Sequence, residues 1–346
     1  MKISVIIPTF NEERYIDDCI KSIVESDFDF EGTGSEIIIA DGMSNDGTRE
    51  KLEKYSESYK FIKIIDNVRQ SQVFGLNLAL DIVSGDIVFR LDAHSEYPGN
   101  YFSGIIDYYN ENDASNVGGC WNTLPGDDSK TAHSIADSMS HPFGVGPSIY
   151  RIKKSGNPLS VDTVPFGCWK RENLDIIGKY DEEFIRYEDY DHNYRIRKTG
   201  KKIILLPWIK IKYYARDNWS KTAAMFFQYG YWKNIFFKKH KEIGTYRQFI
   251  PMFFVLSLIF SLMVSFVFPS FFYFFALIIF LYLIPLLIFS LSVAKNNRKY
   301  GVLLFFYNII SFPVIHFSYG AGMIAGIINV FILKRKPGTF VKKVTR

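Results

Sequence analysis

Hydrophobic and polar positions alternate with two different textures along this chain. In the first hundred residues, short apolar runs at Ile3–Pro8, Glu36–Asp41, Phe61–Asp66 and Asp86–Asp92 are separated by stretches of helical length. One of these, Glu12–Glu25, brings Tyr15, Ile16, Cys19, Ile20 and Ile23 to a single face, the spacing of an amphipathic helix. Asp46-Gly47-Thr48 reads as a helix start, with Asn45 or Asp46 as N-cap. Strands alternating with helices of this length predict βαβ units, hence an α/β fold with a mostly parallel sheet and flanking helices. Open parallel sheets bind their ligands beyond the carboxyl ends of the strands. Those ends carry Pro8-Thr9, Asp41, Asp66 and Asp92. Carboxylates at three of the four ends suit a cationic or hydroxyl-rich ligand.

Leu124 to Ser160 is rich in Gly, Pro, Ser and His, including His141-Pro142-Phe143-Gly144-Val145-Gly146, and predicts a long irregular segment of the kind that often carries function. Regular patterning resumes over Val161–Cys168. Helices are expected at Arg171–Ile177 and around Glu182–Lys198, and short strands at Lys202–Leu206 and Trp208–Tyr214.

After Asn218 the texture changes. Met225, Phe226, Phe227, Tyr229, Trp232, Ile235, Phe236 and Phe237 interleave with Lys221, Lys233, Lys238, Lys239 and Lys241, which predicts a helix in a membrane interface. Packing of the same helix on the soluble domain is the alternative. Phe249–Ala294 and Val302–Leu333 then contain no Asp, Glu, Lys or Arg. The first run exceeds the roughly 20 residues of one crossing, and Pro269-Ser270 divides it into two. Basic residues stand at Lys238–Arg247, at Lys295, Arg298 and Lys299, at Lys334-Arg335-Lys336 and at Lys342-Lys343, and the positive-inside rule places them all on the cytoplasmic side. That requires an even number of crossings after Arg298. Val302–Leu333 is therefore expected to form a hairpin or re-entrant pair, with Ser318, Gly322 and Gly326 favouring close helix packing; one span kinked at Pro313 is the competitor. The expected division is a cytosolic domain at 1–217, an interface helix and basic linker at 218–247, three to four transmembrane helices at 248–333 and a basic cytoplasmic tail at 334–346. The chain is expected to sit in the cell membrane as a multi-pass protein.

Composition sharpens this picture only where it excludes. With 48% apolar and 22% charged residues and a net charge of +5 in 346 residues, the averages are those of a globular protein and rule out disorder and collagen. The uncharged runs argue against a purely soluble chain. Cys19, Cys120 and Cys168 are far apart and odd in number, which fits neither a zinc site nor a disulfide framework. The apolar run after Met1-Lys2 is too short for a secretory signal, so the N-terminal half is expected to fold where it is made.

Three groups of residues can carry chemistry. Asp92-Ala93-His94 ends the fourth strand, where residues two apart on extended backbone face the same way and can converge on one cation. A carboxylate and an imidazole suit Mg²⁺ or Mn²⁺ completed by water and phosphate oxygens. Asp41-Gly42 closes the second strand and leaves a carboxylate to accept hydrogen bonds from a base or ribose. Tyr187-Glu188-Asp189-Tyr190-Asp191 crowds three acids together, one way of raising a carboxylate pKa into the range of a usable base; a solvated acidic face balanced by Arg195 and Arg197 is the alternative. Thr9-Phe10-Asn11-Glu12 follows the first strand in place of a glycine-rich phosphate loop, which argues against a dinucleotide dehydrogenase and a P-loop enzyme.

In order and spacing, Ile3–Asn11 with Glu12, Asp41-Gly42 with Asp46-Gly47-Thr48, Asp92-Ala93-His94 and Glu188-Asp189 resemble the inverting family 2 glycosyltransferases of GT-A fold. Arg69 ahead of Gly75 and Asn77, the His141–Gly146 segment, Val161–Val164 and Gly167–Arg171 are similar to the exopolysaccharide branch typified by the succinoglycan glucosyltransferase. The likeness covers roughly Lys2–Lys241. It implies a nucleotide-diphosphate-sugar transferase fold followed by a helical transmembrane region, a donor such as a UDP-hexose, a polyprenyl-linked saccharide acceptor at the bilayer, and no nucleic acid. By the same resemblance, Pro8, Thr9, Asn11, Glu12, Asp41, Arg69 and Asp92 would hold the donor, and Asp92 and His94 the divalent cation. Asp189 would be the catalytic base with Glu188 beside it, and Gly167, Trp169, Gln228 and Trp232 would lie toward the acceptor. His94 departs from the commoner Asp-x-Asp. Gln228-Tyr229-Gly230-Tyr231-Trp232 resembles the Gln-x-x-Arg-Trp of processive synthases, but Tyr231 replaces the Arg, which argues against processive synthesis. A polyprenyl-phosphate sugar synthase and a non-catalytic nucleotide-sugar-binding scaffold are the alternatives.

Overall fold

The computed structural model describes residues 1–152, 155–243 and 246–342; Lys343–Arg346 of the expected basic tail lie outside the described residues. In chain order the elements are β1 (Ile3–Thr9), α1 (Ile16–Val24), β2 (Glu36–Asp41), α2 (Thr48–Ser58), β3 (Ile62–Asp66), α3 (Gln72–Leu80), β4 (Ile87–Arg90), β5 (Ser95–Glu96), α4 (Tyr101–Glu111) and β6 (Asn116–Leu124). There follow α5 (Lys130–Met139), α6 (Pro142–Val145), α7 (Ile149–Ile152), β7 (Leu159–Ser160), β8 (Cys168–Lys170), α8 (Arg171–Ile177), α9 (Glu188–Lys198) and β9 (Ile203–Tyr214). The C-terminal part consists of α10 (Trp219–His240), α11 (Ile250–Ser265), α12 (Phe271–Asn296), α13 (Phe305–Ile327) and α14 (Thr339–Lys342). The chain divides into two compact units, Met1–Asn122 with Ile149–Tyr213, and Thr123–Ser148 with Tyr214–Arg346. Thr123–Ser148, which falls within the expected 1–217 domain, groups in this division with the C-terminal helices.

The first unit is built on a five-stranded sheet in the order β3-β2-β1-β4-β8. Its first four strands run parallel, and β8 pairs with β4 in the antiparallel sense. The strands of a sheet covered on both faces read as near-continuous apolar runs, and β1, β2 and β4 are buried throughout. Ile6, Ile38 and Val88 share a core with Val73, Leu76 and Ala79 of α3, while Cys19, Ile20 and Ile23 of α1 are buried elsewhere in the unit. A smaller sheet, β5-β9-β6, carries β7 on β9. Here β9 is a single strand through Pro207 rather than the two expected from sequence. Proline lacks a donor, so it reads as a break, but its fixed φ is compatible with extended backbone.

At the amino end of the large sheet Glu36 is almost wholly buried. Its carboxylate accepts hydrogen bonds from Ser4 Oγ (2.8 Å), Ser84 Oγ (2.5 Å), Ser84 N (2.8 Å) and Lys63 Nζ (2.8 Å). Burial opposes ionisation, but these donors outweigh it and hold the pKa down to about 2. One side chain thereby fastens β1, β2, β3 and the turn before β4.

The second unit is helical. Ser129 to Met139, expected to be irregular, starts with Ser129 accepting from Ala132 N at 3.1 Å and continues as α5. His141 caps α6 by accepting from Phe143 N at 3.1 Å. Three helical stretches, Tyr246–Ser265, Phe271–Asn296 and Gly301–Ile332, are long and apolar enough to cross a membrane. Val302–Leu333 is therefore not a hairpin: the helix continues through Pro313 and ends in a π-helical turn at Ile328–Ile332. The small residues expected to bring the two arms of a hairpin together serve a different partner. A methyl group at Gly322 would collide with the backbone of Phe227, and one at Gly326 with Asn234, both on α10. The apolar face of α10 is accordingly packed along α13.

Replacing Glu36 by Gln keeps the shape but removes the charge. The variant is expected to lose about 1.5–3 kcal/mol, the worth of hydrogen bonding to a charged group. Because the folded pKa is depressed from 4.5, the contribution is present above the ordinary value and lost as pH falls toward about 2. Thermal unfolding in detergent between about pH 3 and about pH 7 checks this: the gap between wild type and variant should close at the acid end.

Candidate active site

Register brings the carboxyl ends of the strands together. Thr9 lies opposite Asp41, and Asp41 opposite Asp66. Asp41 is buried and accepts from Ser44 Oγ at 2.6 Å and from Arg49 at 3.4 Å, while the same guanidinium meets Asp66 at 2.7 Å. Two of the three expected ligand-facing carboxylates thus converge on Arg49, a residue the sequence reading passed over. Asn11, at φ 53°, donates its N–H to Ser44 Oγ (2.9 Å) and accepts from Asn45 N (2.9 Å), which locks the loop after β1 to the loop after β2. Pro8 lies opposite Ala40 inside the sheet. Asp46 accepts from Thr48 N and Oγ1 at 3.1 and 2.5 Å, but the N-cap of α2 is the positive-φ Gly47 and not the expected Asn45 or Asp46.

Beyond β4 the chain turns, with Ser95 N donating to Asp92 O at 3.2 Å. The extended backbone expected at Asp92-Ala93-His94 is absent, yet the two side chains meet: His94 Nδ1 is 2.6 Å from Asp92 Oδ1 and 3.1 Å from Glu12 Oε1. One ligand atom from each of Glu12, Asp92 and His94 falls within 4.8 Å of the others. Glu12 arrives because the turn after β1 reverses at Asn11, with Glu12 N donating to Thr48 Oγ1 at 2.8 Å. Two carboxylate oxygens and one imidazole nitrogen form a donor set that fits Mn²⁺ or Mg²⁺.

Two residues before Asp92, Arg90 is only 2% exposed. Its Nη1 lies 3.2 Å from Asp189 Oδ2 and its Nη2 3.7 Å from Glu188 Oε1, and the guanidinium sits over Phe166 at 5.0 Å. The acids belong to the first turn of α9, which begins at Glu188, and the preceding Tyr187 has φ 76°. A helix N-terminus tolerates this crowding because its dipole favours negative charge. Burial pushes Asp189 up to about 7, with Glu188 and Asp92 adding to the shift and Arg90 opposing it; Glu188 is raised for the same first reason. Asp189 Oδ1 is buried with no hydrogen-bond partner among the described residues. Asp191, by contrast, is paired with Arg195 at 3.0 Å and belongs to the scaffold. Arg195 also donates to Ile177 O (2.6 Å) and Lys179 O (2.8 Å).

The Thr163–Cys168 segment, whose Phe166 ring lies beneath the Arg90 guanidinium, is held by two asparagines. Asn116 donates to Asn193 Oδ1 (2.5 Å) and accepts from Cys168 N (3.0 Å), and Asn193 donates to Thr163 Oγ1 (2.9 Å). Gly167 has φ 97°, and a Cβ there would strike Asn116 and the Trp169 ring. These contacts give a structural reason for Thr163, Val164 and Gly167.

Residues 4–173 match the model of glycosyl transferase family 2. The chain belongs to that family. A relative in Methanococcus voltae, the dolichyl N-acetyl-alpha-D-glucosaminyl phosphate 3-beta-D-2,3-diacetamido-2,3-dideoxy-beta-D-glucuronosyltransferase, is 26% identical over 340 residues, covering 94% of this chain and 98% of that one. The succinoglycan biosynthesis protein ExoA of Rhizobium meliloti is 26% identical over 72% of this chain and 74% of its own. Among solved structures, the mannosyltransferase PcManGT of Pyrobaculum calidifontis, in complex with GDP-Man and Mn²⁺, aligns over 94% of this chain and 87% of that one, with a TM-score of 0.54 and 16% identity. The fold is GT-A-like, and the protein is a glycosyltransferase.

The remaining residues that the resemblance assigns to the site have contacts of their own. Trp169 is 1% exposed and packs against the edges of Tyr180 and His192, because β8 places it opposite Val88 within the sheet. Arg69 is exposed, 3.1 Å from Glu182 and stacked on Phe74 at 4.0 Å. Gln228 and Trp232 belong to the second unit, where they donate to the carbonyls of Phe340 (3.1 Å) and Val341 (2.8 Å). Arg90 was missed although a signal existed: a lone Arg inside Ile87-Val88-Phe89-Arg90-Leu91 must be buried, and buried charges are paired.

Arg90→Met should leave Glu188 and Asp189 facing each other without a cation. Removing one partner of a buried pair costs about 3–5 kcal/mol. Both acids would be protonated in the folded variant, so the penalty grows as pH rises above the ordinary carboxylate range. Thermal melts at about pH 6 and about pH 9 test this, and a deficit that shrinks at the higher pH would contradict the pairing.

Proposed function

We propose that this transferase moves a hexose, with inversion, from a nucleotide-diphosphate sugar such as UDP-hexose to a polyprenyl-linked saccharide in cell-surface or exopolysaccharide biosynthesis. The observation that carries the chemistry is the buried Oδ1 of Asp189, which has no hydrogen-bond partner among the described residues, on a carboxyl whose pKa burial raises to about 7. A group with that pKa is suited to take a proton from a hydroxyl near neutrality. The dolichyl-linked substrate in the name of the Methanococcus voltae relative and the three long apolar helices support a lipid-linked acceptor and a multi-pass location, with the catalytic unit on the cytosolic side.

In this reading Glu12, Asp92 and His94 hold Mg²⁺ or Mn²⁺. When bound, the ion neutralises charge on the departing nucleoside diphosphate. Thr9, Asn11 and Asp41, with Arg49 held between Asp41 and Asp66, border the nucleoside; Arg69 would have to leave Glu182 to join them. Asp189 accepts the acceptor hydroxyl's proton as that oxygen attacks the anomeric carbon from the face opposite the leaving group. Arg90 keeps the carboxylate in place, and Glu188 and Gly167 flank the acceptor. Positive charge that builds on the sugar ring is stabilised by nearby carboxylates, as in glycoside hydrolysis.

Asp189→Asn preserves size while removing basicity, so donor binding by calorimetry should survive while transfer falls by roughly 10²–10⁴. Asp191→Asn should retain most transfer, because its carboxylate serves Arg195. Transfer that persists in Asp189→Asn would favour a lipid-phosphate acceptor, which needs no base. In the wild type kcat/KM should rise with pH through about 7, since the base must be deprotonated.

Asp92→Ala and excess chelator should each nearly abolish transfer. His94→Asp should keep a substantial part, because it restores the commoner ligand pair. Full transfer in chelator would remove the metal assignment.

A further inference from the structure

We infer that only the α11–α12 hairpin crosses the bilayer and that α13, though long and apolar enough to span, lies along the cytoplasmic leaflet with its exposed stripe in the lipid. The inference rests on the membrane reading above and not on the chemistry of the site.

The first observation is the partner of α13. Trp219 Nε1 donates to Ser311 Oγ at 2.8 Å, Gly230 packs against Tyr319 and Met323, Asn234 Nδ2 donates to Met323 O at 3.2 Å, and Asn329 bonds the Tyr231 hydroxyl. The contacts advance together along both helices, so α10 and α13 run parallel for nearly the whole length of α10. Lys221, Lys233, Lys238 and Lys239 lie on α10. A helix tied along its length to that row of lysines cannot cross the hydrocarbon core without drawing them in, and a lysine at mid-depth strongly opposes insertion.

The second observation is where α11 begins. Pro251 sits against Gly320, near the middle of the continuous helix Gly301–Ile332. If that helix stood across the membrane, Pro251 and Arg247 just before it would be held near the midplane. With α13 in the plane, Arg247 stays among headgroups and α11 enters the bilayer from there.

Exposure agrees. On α13 the large exposed side chains are Phe306, Ile310 and Phe317, one stripe at helical spacing, with Val302 and Leu303 exposed before it and Ile328, Phe331, Ile332 and Leu333 exposed after it. Its other sides meet α5, α10, α11 and α12. The hairpin instead exposes large apolar side chains along both arms and at the Phe266–Phe268 tip. Lys295, Arg298 and Lys334-Arg335-Lys336 then all fall on the side of Lys238–Arg247, as the positive-inside rule requires, and suit anionic headgroups.

The three native cysteines are buried, so single added cysteines report topology in the full-length folded protein. Ser270→Cys and Gly338→Cys, both at exposed positions, are treated with a membrane-impermeant maleimide in intact cells and again after permeabilisation. Ser270→Cys should label in intact cells and Gly338→Cys only after permeabilisation. Labelling of Gly338→Cys from outside would overturn the in-plane placement of α13, and failure to label Ser270→Cys from outside would overturn the crossing hairpin. Release of the protein from membranes by alkaline carbonate would instead refute the membrane reading itself, a separate outcome.

Discussion

A guanidinium buried between two carboxylates organises the catalytic unit. Arg90 is at the end of a central strand, almost without solvent, and an isolated charge there would be costly. The acids that satisfy it, Glu188 and Asp189, come from a helix about a hundred residues later in the chain, so the ion pair joins the carboxyl edge of the parallel sheet to α9. Two residues beyond Arg90 the chain turns and supplies Asp92 and His94. The candidate base, through its ion pair with Arg90, and two of the three candidate metal ligands therefore hang from one strand end.

The surrounding polar groups make sense as supports for that arrangement. Asn116 and Asn193 hold the Thr163–Cys168 segment, and Phe166 in that segment carries the Arg90 guanidinium over its ring. Asp191 and Arg195 tie the other side of the helix to the carbonyls of Ile177 and Lys179. At the opposite end of the sheet Glu36 binds donors from three neighbouring segments. Glu36 and Asp191 are met by fixed partners, the condition under which buried ionic groups hold one conformation instead of destabilising it.

The parallel strands could be read from the sequence, because strands covered on both faces are written as unbroken apolar runs, but their order in the sheet could not. The pairing of Asp92 with His94 was legible for the wrong reason, since a turn and not extended backbone brings them together. Glu12 as a third member was not legible as a ligand: it depends on a reversal at Asn11, whose positive φ has no glycine to announce it. The resemblance assigns Trp169 to the acceptor side, and its burial was not legible, because it depends on β8 setting it opposite Val88. The helix α5 was hidden in a segment whose Ser and Gly content argued for a loop; its small residues are instead what lets it pack.

The C-terminal half shows how hydropathy can be satisfied in more than one way. A run without formal charge fixes only that water is avoided, and protein neighbours do that as well as lipid. Gly230, Gly322 and Gly326 let α10 and α13 approach until backbone meets backbone, and Asn234 and Trp219 spend their donors across the same seam. Such a seam needs α13 to be apolar along most of its circumference although only one stripe of it is exposed. The same residues would be required of a spanning helix, so composition alone counts three crossings, while the packing of α13 on a lysine-bearing helix decides between crossing the membrane and lying on it.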